Sequence, residues 1–434
     1  MDGTSSSISQ RAWGMARRLL PAGVSGWDFL AFIIPAVSFL EITIVGQLFV
    51  TELLLLAALP WLLRSHDRQP LPRWFVVAWA GWLISQIVTD VVVGSAFKDY
   101  ARGWAGILFT FTNFAAIFFL VSTPRRARFF AVGLATAGFL GFLLFPTALT
   151  ALDPWKWGLA FPVGLVLVAG VSGRRAARLP WLTVSLLALF GILNLVLAYR
   201  TLGGVSLLSA GYLTLCFTIG GGHSAGKPSV FRAVLGLAFV AAAGIAILGI
   251  YSTAASQGLL GRGAQQKYLH QAGALGEILG GRPELLASSQ AIIDSPVLGH
   301  GSWARDPRYA ALLVEREKAL GYHVTPEYVG ADLIPTHSHL FGAWVWAGVL
   351  GAAFWFAVGA AAVWLLANLY SSRVEVAPLL VFSAMLLLWD IAFSPYGSSG
   401  RVTAPYALVL CLLGFRLLRD KAESRSLEME SSRA

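Results

Sequence analysis

Two histidines lie two positions apart in the segment 335–339, directly before a long apolar stretch. Imidazole is the side chain best suited to accept a proton near neutral pH, so His337 or His339 could act as a general base. A histidine pair also raises the question of zinc. On a helix, however, residues i and i+2 point to nearly opposite faces, so only an extended backbone would bring both rings to one metal. We therefore predict no metal site, and the alternative to a base is a packed, hydrogen-bonded histidine at a membrane boundary.

Arginines form the second group of residues that could do chemistry. Arg200 ends an apolar run, and Arg282 opens a polar segment. A guanidinium group is always charged and presents a planar fork of donors that suits phosphate. The alternatives are a snorkelling side chain for Arg200 and a solvated loop charge for Arg282. Further cations of the same predicted compartment are Arg262, Lys267, Arg305 and Arg401.

The composition shows which elements must position these residues. The chain has 434 residues, of which 57% are hydrophobic and only 12% charged. Soluble domains carry roughly 25% charged residues, so this chain could not cover a water-exposed surface. Disordered chains are excluded because they are poor in apolar residues. The class that remains is an all-α, polytopic membrane protein, in which a net charge of +10 reflects topology and lipid head groups and not nucleic acid.

A bilayer core requires about 20 apolar residues in a helix. The sequence predicts twelve spans on this basis, and Glu41, Thr43, Gly46 and Gln47 mark the turn between the first two. The predicted spans are 28–45, 47–63, 73–93, 101–121, 129–148, 157–171, 180–199, 203–221, 233–251, 339–368, 376–394 and 403–419. They form an N-terminal bundle of nine spans over 1–251 and a C-terminal bundle of three over 339–419, followed by a polar tail over 420–434.

Basic residues predict the orientation of these spans. With the N-terminus placed in the cytoplasm, most of the 32 basic residues fall in inside segments, as the positive-inside rule requires. Both termini are then cytoplasmic. The segment 252–338 becomes one long outside loop, with helical stretches over 282–293 and 307–320. An insertion of this length with its own elements is usually functional.

The order of the motifs resembles the O-antigen ligase and O-antigen polymerase superfamily. His337 and Ser338, followed after nine residues by Gly348 and after two more by Gly351, are similar to the family signature H-[N/S/Q]-x9-G-x2-G. The stretches 281–285 and 294–301 resemble the family block that begins G-R-x-E-L and ends in P-L-L-G-x-G. Arg200 with the glycines at 203 and 204 looks like the S-R-G position, although two residues intervene here.

This resemblance implies a GT-C-like glycosyltransferase of the bacterial inner membrane. Such enzymes move a glycan from undecaprenyl diphosphate to an acceptor at the periplasmic face, with no metal or other cofactor. It implies that His337 deprotonates the acceptor hydroxyl and that Arg200 and Arg282 bind the donor diphosphate. Secondary candidates are His339, Arg262, Tyr268 and Arg401.

The leading functional hypothesis is an O-antigen ligase whose acceptor is the lipid A–core oligosaccharide. A polymerase of the same superfamily is the main alternative, and a protein-glycosylating relative is a further one. A transporter for the same lipid would share the cationic outer cavity, but it would also predict basic residues along a path through the helices. A non-catalytic scaffold would tolerate changes at all three primary positions.

Overall fold

The computed structural model describes residues 24–44, 46–64, 70–173, 179–218, 230–271, 281–369 and 374–431. In these ranges the chain is almost entirely helical, which confirms the all-α class. The helices of the first half are α1 Gly26–Ala36, α2 Val50–Arg64, α3 Arg73–Val93, α4 Phe97–Leu120, α5 Pro124–Leu144, α6 Ala148–Leu152, α7 Ala160–Gly170, α8 Pro180–Val196 and α9 Arg200–Thr218. Those of the second half are α10 Val230–Ser256, α11 Arg262–Gln271, α12 Glu284–Asp294, α13 Pro307–Ala319, α14 His339–Leu369, α15 Ala377–Phe393 and α16 Gly400–Ser431.

Two short strands and two single turns complete the described chain. Strands β1 Glu41–Thr43 and β2 Gln47–Phe49 form an antiparallel hairpin. A π-helical turn, Trp155–Leu159, precedes α7, and a 3-10 turn, Pro326–Tyr328, follows α13.

Within the described residues, six helices are long and apolar enough to cross a bilayer, so the protein is a multi-pass membrane protein. They are α3, α4, α5, α9, α14 and the first 25 residues of α16. Five other predicted spans coincide with shorter helices, and the predicted span 233–251 lies within α10. A total of twelve crossings stays a prediction. The boundary of the first predicted span is wrong, because α1 ends at Ala36 and residues 41–43 are a strand. The sequence of this strand alternates isoleucine with polar residues, a pattern that favours extended backbone over helix.

Half of the basic residues on which the predicted orientation rests lie outside the described ranges. These are Arg11, Arg17, Arg18, Arg68, Arg174, Arg175, Arg178, Lys227, Arg373 and Arg433. The inside location of both termini therefore stays a prediction. The polar tail is helical as far as Ser431, because α16 continues beyond its apolar part.

The last three helices pack into the helices that precede them. α14 packs on α3, α15 on α9, and α16 on α4. One continuous core of buried side chains joins them, with Phe114 of α4, Trp355 of α14 and Phe382 of α15 at most 1% exposed. The two predicted bundles thus share one hydrophobic core.

The predicted outside segment has a small core of its own within residues 281–338. The two helices predicted there are confirmed as α12 and α13. They pack together through Ala287, Tyr309 and Leu313, and Val345 of α14 belongs to the same cluster. This shared packing fixes the outside segment on the first turns of α14.

A kink in α14 strengthens this attachment. Gly348 has non-helical angles (φ 65°, ψ −158°), so the carbonyl groups before it are free to bond outside the helix. The carbonyl oxygen of Val345 accepts a hydrogen bond from His300 N at 2.6 Å, and Val349 N donates to the carbonyl of Val297 at 3.2 Å. The approach is so close that a Cβ built on Gly299 would lie 2.6 Å from Gly348 N. The motif glycine at 348 is therefore needed for packing.

Candidate functional site

The predicted base, His337, lies in the loop immediately before α14. The next residue, Ser338, fixes this loop. Its hydroxyl donates to the carbonyl of Ile391 at 2.7 Å and accepts from Phe341 N at 3.1 Å, which caps the start of α14. His337 keeps 30% of its side chain exposed, and its Nδ1 is 3.5 Å from Oε1 of Glu284 at the start of α12.

The surroundings of His337 keep its ring neutral. Burial is the largest of the effects that lower the pKa of His337 to about 4. The positive charges of Arg282 and Lys156 act in the same direction, and the negative charge of Glu327 opposes them. A neutral imidazole can accept a proton at physiological pH. The two cations are also close enough to influence any charge that forms beside the ring.

Arg282 is held in place by backbone carbonyl groups. Its Nε donates to the carbonyl of Phe393 and its Nη1 to that of Gly281, both at 2.7 Å. Burial lowers the pKa of Arg282; the carboxylate of Glu284 opposes this effect, and the charge of Arg200 adds to it. The structure thus brings Arg200, Arg282 and His337 into one electrostatic group, although the three are far apart in sequence.

Arg200 begins α9 directly after a strained turn. Ala198 has φ 57°, a left-handed conformation that is uncommon outside glycine. This turn joins α8 to α9 within three residues and places the Arg200 guanidinium 5.6 Å from the ring centre of Tyr251 in α10. Backbone strain of this kind often accompanies functional positions.

Glu284 is the unexpected member of the group. Its side chain is only 10% exposed, and Oε1 accepts a hydrogen bond from the hydroxyl of Tyr328 at 2.9 Å. The other oxygen, Oε2, is buried and has no hydrogen-bond partner among the described residues. Burial raises the pKa of Glu284, against the opposing effects of its backbone N–H, Tyr328 and Arg282.

His339 has structural contacts. It is 3% exposed, and its Nδ1 lies 2.6 Å from the carbonyl oxygen of Ser394. Its ring packs edge-on against Trp355 and Tyr396, with centroids 4.8 and 4.9 Å away. The rings of His337 and His339 therefore have different surroundings, and they do not converge on a shared site.

Arg401 is also engaged by the protein itself. Its Nε and Nη2 bond both carboxylate oxygens of Glu52 at 2.7 and 2.8 Å, and Glu52 is completely buried. Nη2 also donates to the carbonyl of Gln47 at 2.6 Å. Arg401 thus joins α16 to α2 and the hairpin. The last two candidates, Arg262 and Tyr268, lie on α11, where Arg262 is exposed and Tyr268 half-buried, and no described contact connects them to His337.

A cavity of about 550 Å³ opens between the hairpin, α5, the π-helical turn and the start of α16. Most of its lining is apolar, and it includes the aromatic residues Phe39, Phe49, Phe142, Phe145, Trp157 and Phe161. Lys156 also lines it, and the same ammonium group acts on His337. The cavity is therefore an apolar space with a cation on the side of the His337 group.

A buried carboxylate anchors the loop that follows α12. Asp90 of α3 is 2% exposed and accepts hydrogen bonds from both the N–H and the hydroxyl of Ser302, at 2.6 and 2.7 Å. Ser95 and Trp104 donate to it as well, at 2.7 and 2.8 Å. Asp90 therefore has a structural role, and it fixes the position of the outside segment relative to α3.

Comparisons with protein-family models, with curated proteins and with solved structures find no match to this chain. Membership of the O-antigen ligase superfamily therefore stays a prediction. Glu284, Tyr328 and Lys156 are not among the residues that the sequence alone indicates as candidates. Glu284 could have been suspected from its place two residues after Arg282, but its pairing with His337 joins positions that only the fold brings together.

Proposed function

We propose that the protein transfers a glycan from a polyprenyl diphosphate to an acceptor hydroxyl, and that it is an O-antigen ligase acting at the outer face of the bacterial inner membrane. The observation that supports this most directly is a chain of charge interactions, in which Arg282 acts on the neutral imidazole of His337 and Arg200 acts on Arg282. Transfer from a lipid diphosphate needs two functions: cations at the leaving group and a base at the acceptor. Both chemical groups are present here.

The reaction follows from ordinary acid–base chemistry. His337 takes the proton of the acceptor hydroxyl, and the acceptor oxygen forms a bond to the anomeric carbon of the donor glycan. The bond from that carbon to the diphosphate oxygen breaks, and its electron pair leaves on the diphosphate. Arg282 and Arg200 stabilise this developing charge. The attack from the opposite side inverts the anomeric carbon, and no step requires a metal.

The apolar cavity offers a place for the polyprenyl chain. An isoprenoid tail has no polar groups, so its binding depends on apolar surface, which the aromatic lining provides. Lys156 could then contact the diphosphate end. Trp157→Ala, in the lining, should raise the KM for the lipid-linked donor with little effect on kcat. An unchanged KM would remove the cavity from the donor site.

A reconstituted assay with a defined undecaprenyl diphosphate-linked glycan tests the proposal. Lipid A–core and a second lipid-linked repeat are offered as separate acceptors, so that ligase and polymerase products are distinguished. His337→Ala should abolish transfer, a loss of at least about 10²-fold for a general base. Arg200→Ala and Arg282→Ala should weaken donor use, and Lys should restore it poorly because the planar fork is lost. Arg308→Ala, at an exposed arginine paired with Asp306, is the matched control.

The outcomes separate the alternatives. Product on the second lipid-linked repeat alone would favour a polymerase. Movement of the donor across the bilayer without any new glycosidic bond would favour a transporter. Normal transfer by His337→Ala would remove the proposed base. EDTA should leave the rate unchanged, whereas inhibition that Zn²⁺ reverses would restore the hypothesis of a metal at the histidines.

A further inference from the structure

We propose that Glu284 is the proton-accepting partner of His337, so that the acceptor's proton comes to rest on the carboxylate and not on the imidazole. This inference rests on the proposed function and adds a residue to its mechanism. Glu284 acts through His337 and is therefore a positioning residue, distinct from the base that touches the acceptor.

The geometry of the pair carries the argument. Oε1 of Glu284 faces Nδ1 of His337 at 3.5 Å, slightly longer than a normal hydrogen bond. Such contacts are often long without substrate and tighten in the reacting complex. A proton on Nδ1 that points to Glu284 leaves Nε2 unprotonated, and Nε2 is then the atom that accepts the proton of the sugar hydroxyl.

Tyr328 holds the carboxylate in this position. The hydroxyl of Tyr328 donates to the same Oε1. This oxygen therefore has one constant donor, Tyr328, and one donor that changes during the reaction, Nδ1 of His337. Glu284 is also the first residue of α12, where the free backbone N–H groups favour a carboxylate. The carboxylate is therefore oriented by three elements: α12, the 3-10 turn and the loop before α14.

Among the described residues no donor reaches Oε2, and this explains why the proton would stay on Glu284. A buried carboxylate oxygen without a donor makes the ionised form costly, and protonation relieves this cost. The surroundings of His337 have the opposite effect, since burial and Arg282 disfavour the imidazolium. A proton that reaches Nε2 is thus balanced by transfer of the Nδ1 proton to Oε1. The pair gains one proton in total and the acceptor loses one.

Several other charged or titratable groups act on this pair. They are Arg282, Lys156, Glu327 and Tyr328. Glu327 provides the matched control, because it is an exposed carboxylate on the same 3-10 turn as Tyr328 and its charge also acts on His337.

The experiment is a pH–rate profile of glycan transfer for the wild type, Glu284→Gln, Glu284→Asp and Glu327→Gln. The wild-type rate should fall as pH drops through the raised pKa of Glu284, because the protonated carboxyl cannot accept a proton. Glu284→Gln should lose roughly 10²-fold in kcat at pH 7 with little change in KM. The remaining rate of this variant should no longer fall as pH drops through the pKa of Glu284. It should fall only near the His337 pKa of about 4.

Further variants keep the inference falsifiable if Glu284→Gln folds poorly. Tyr328→Phe removes a donor that stabilises the carboxylate, so the acid limb should move to higher pH. Glu284→Asp should recover part of the lost rate, and Glu327→Gln should resemble the wild type. The inference is overturned by a wild-type profile in Glu284→Gln or Tyr328→Phe, or by equal losses in Glu284→Gln and Glu327→Gln.

A second measurement separates this inference from the proposed function. If the wild type transfers no glycan, the function is refuted, but the pair can still be tested by NMR of labelled histidine side chains. His337, assigned from its loss in His337→Ala, should titrate differently in Glu284→Gln and in the wild type. Identical titration curves would show that the two side chains share no proton.

Discussion

The kink of α14 allows a prediction that is independent of the proposed function. Gly348 has φ 65°, and a Cβ built on it would overlap the carbonyl of Val297 and lie 2.8 Å from the carbonyl carbon of Leu298. These are backbone atoms and cannot rotate away as a side chain could. In Gly348→Ala, the loop that follows α12 must therefore separate from α14.

The size of the effect follows from two contributions. The angles of Gly348 lie in a region that is essentially restricted to glycine, and another residue there costs roughly 1–3 kcal/mol. Separation of the loop also breaks three hydrogen bonds, namely His300 N to Val345 O, Gly301 N to Trp346 O and Val349 N to Val297 O. Each contributes about 1 kcal/mol on average. We expect Gly348→Ala to lower the free energy of unfolding by roughly 4–6 kcal/mol in total.

The assay is thermal unfolding in detergent, followed by tryptophan fluorescence and by the fraction that elutes as a monodisperse peak. Gly359→Ala is the control, because it lies on the same helix and its Cβ would meet only ordinary contacts, the nearest at 3.7 Å to Ile391 Cδ1. Gly359→Ala should be neutral or slightly stabilising. Equal melting temperatures for the two variants would refute the reasoning, since the carbonyl approach at Gly348 would then have no energetic consequence.

Three further changes have expected outcomes on stability, each measured by melting temperature in detergent. Arg401→Ala leaves the fully buried carboxylate of Glu52 without its counter-ion and should cost roughly 3–5 kcal/mol of stability. The double variant Arg401→Met with Glu52→Leu should recover most of this loss. An unchanged melting temperature in Arg401→Ala would contradict the role of the pair. Ala198→Gly relieves the left-handed backbone before α9 and should stabilise the protein by up to about 1 kcal/mol, so a destabilised variant would argue against strain at this turn. Between pH 6.5 and about 4 the folded state binds fewer protons at His337 than the unfolded state does, so stability should fall as pH drops through this window. His337→Gln should reduce this dependence of the melting temperature on pH. If the variant keeps the same dependence as the wild type, another group titrates in this window.

Composition and apolar periodicity were sufficient for the class of the protein. A chain with 12% charged residues must bury its surface in lipid, and long apolar stretches in lipid must be helices because every backbone group needs an internal partner. The helices at 73–93, 339–368 and 376–394 were predicted within one residue at each end for this reason. The first span was not, because a short hairpin and a full-length helix can both follow from an apolar stretch of that length.

The residues of the candidate site also fall into two groups, those that the sequence indicates and those that only the structure reveals. Residue type alone suggested His337, Arg200 and Arg282, because few side chains can accept a proton or bind phosphate at a membrane boundary. The motif resemblance favoured His337 over His339, and the tertiary structure adds the physical difference, because the ring of His339 is enclosed by Trp355 and Tyr396. The tertiary structure also assigned Arg401 to Glu52 and brought Glu284 to His337. Lipid solvation acts locally along the chain and can be read from sequence, whereas an ion pair or a shared proton depends on distances that the packing of separate helices determines.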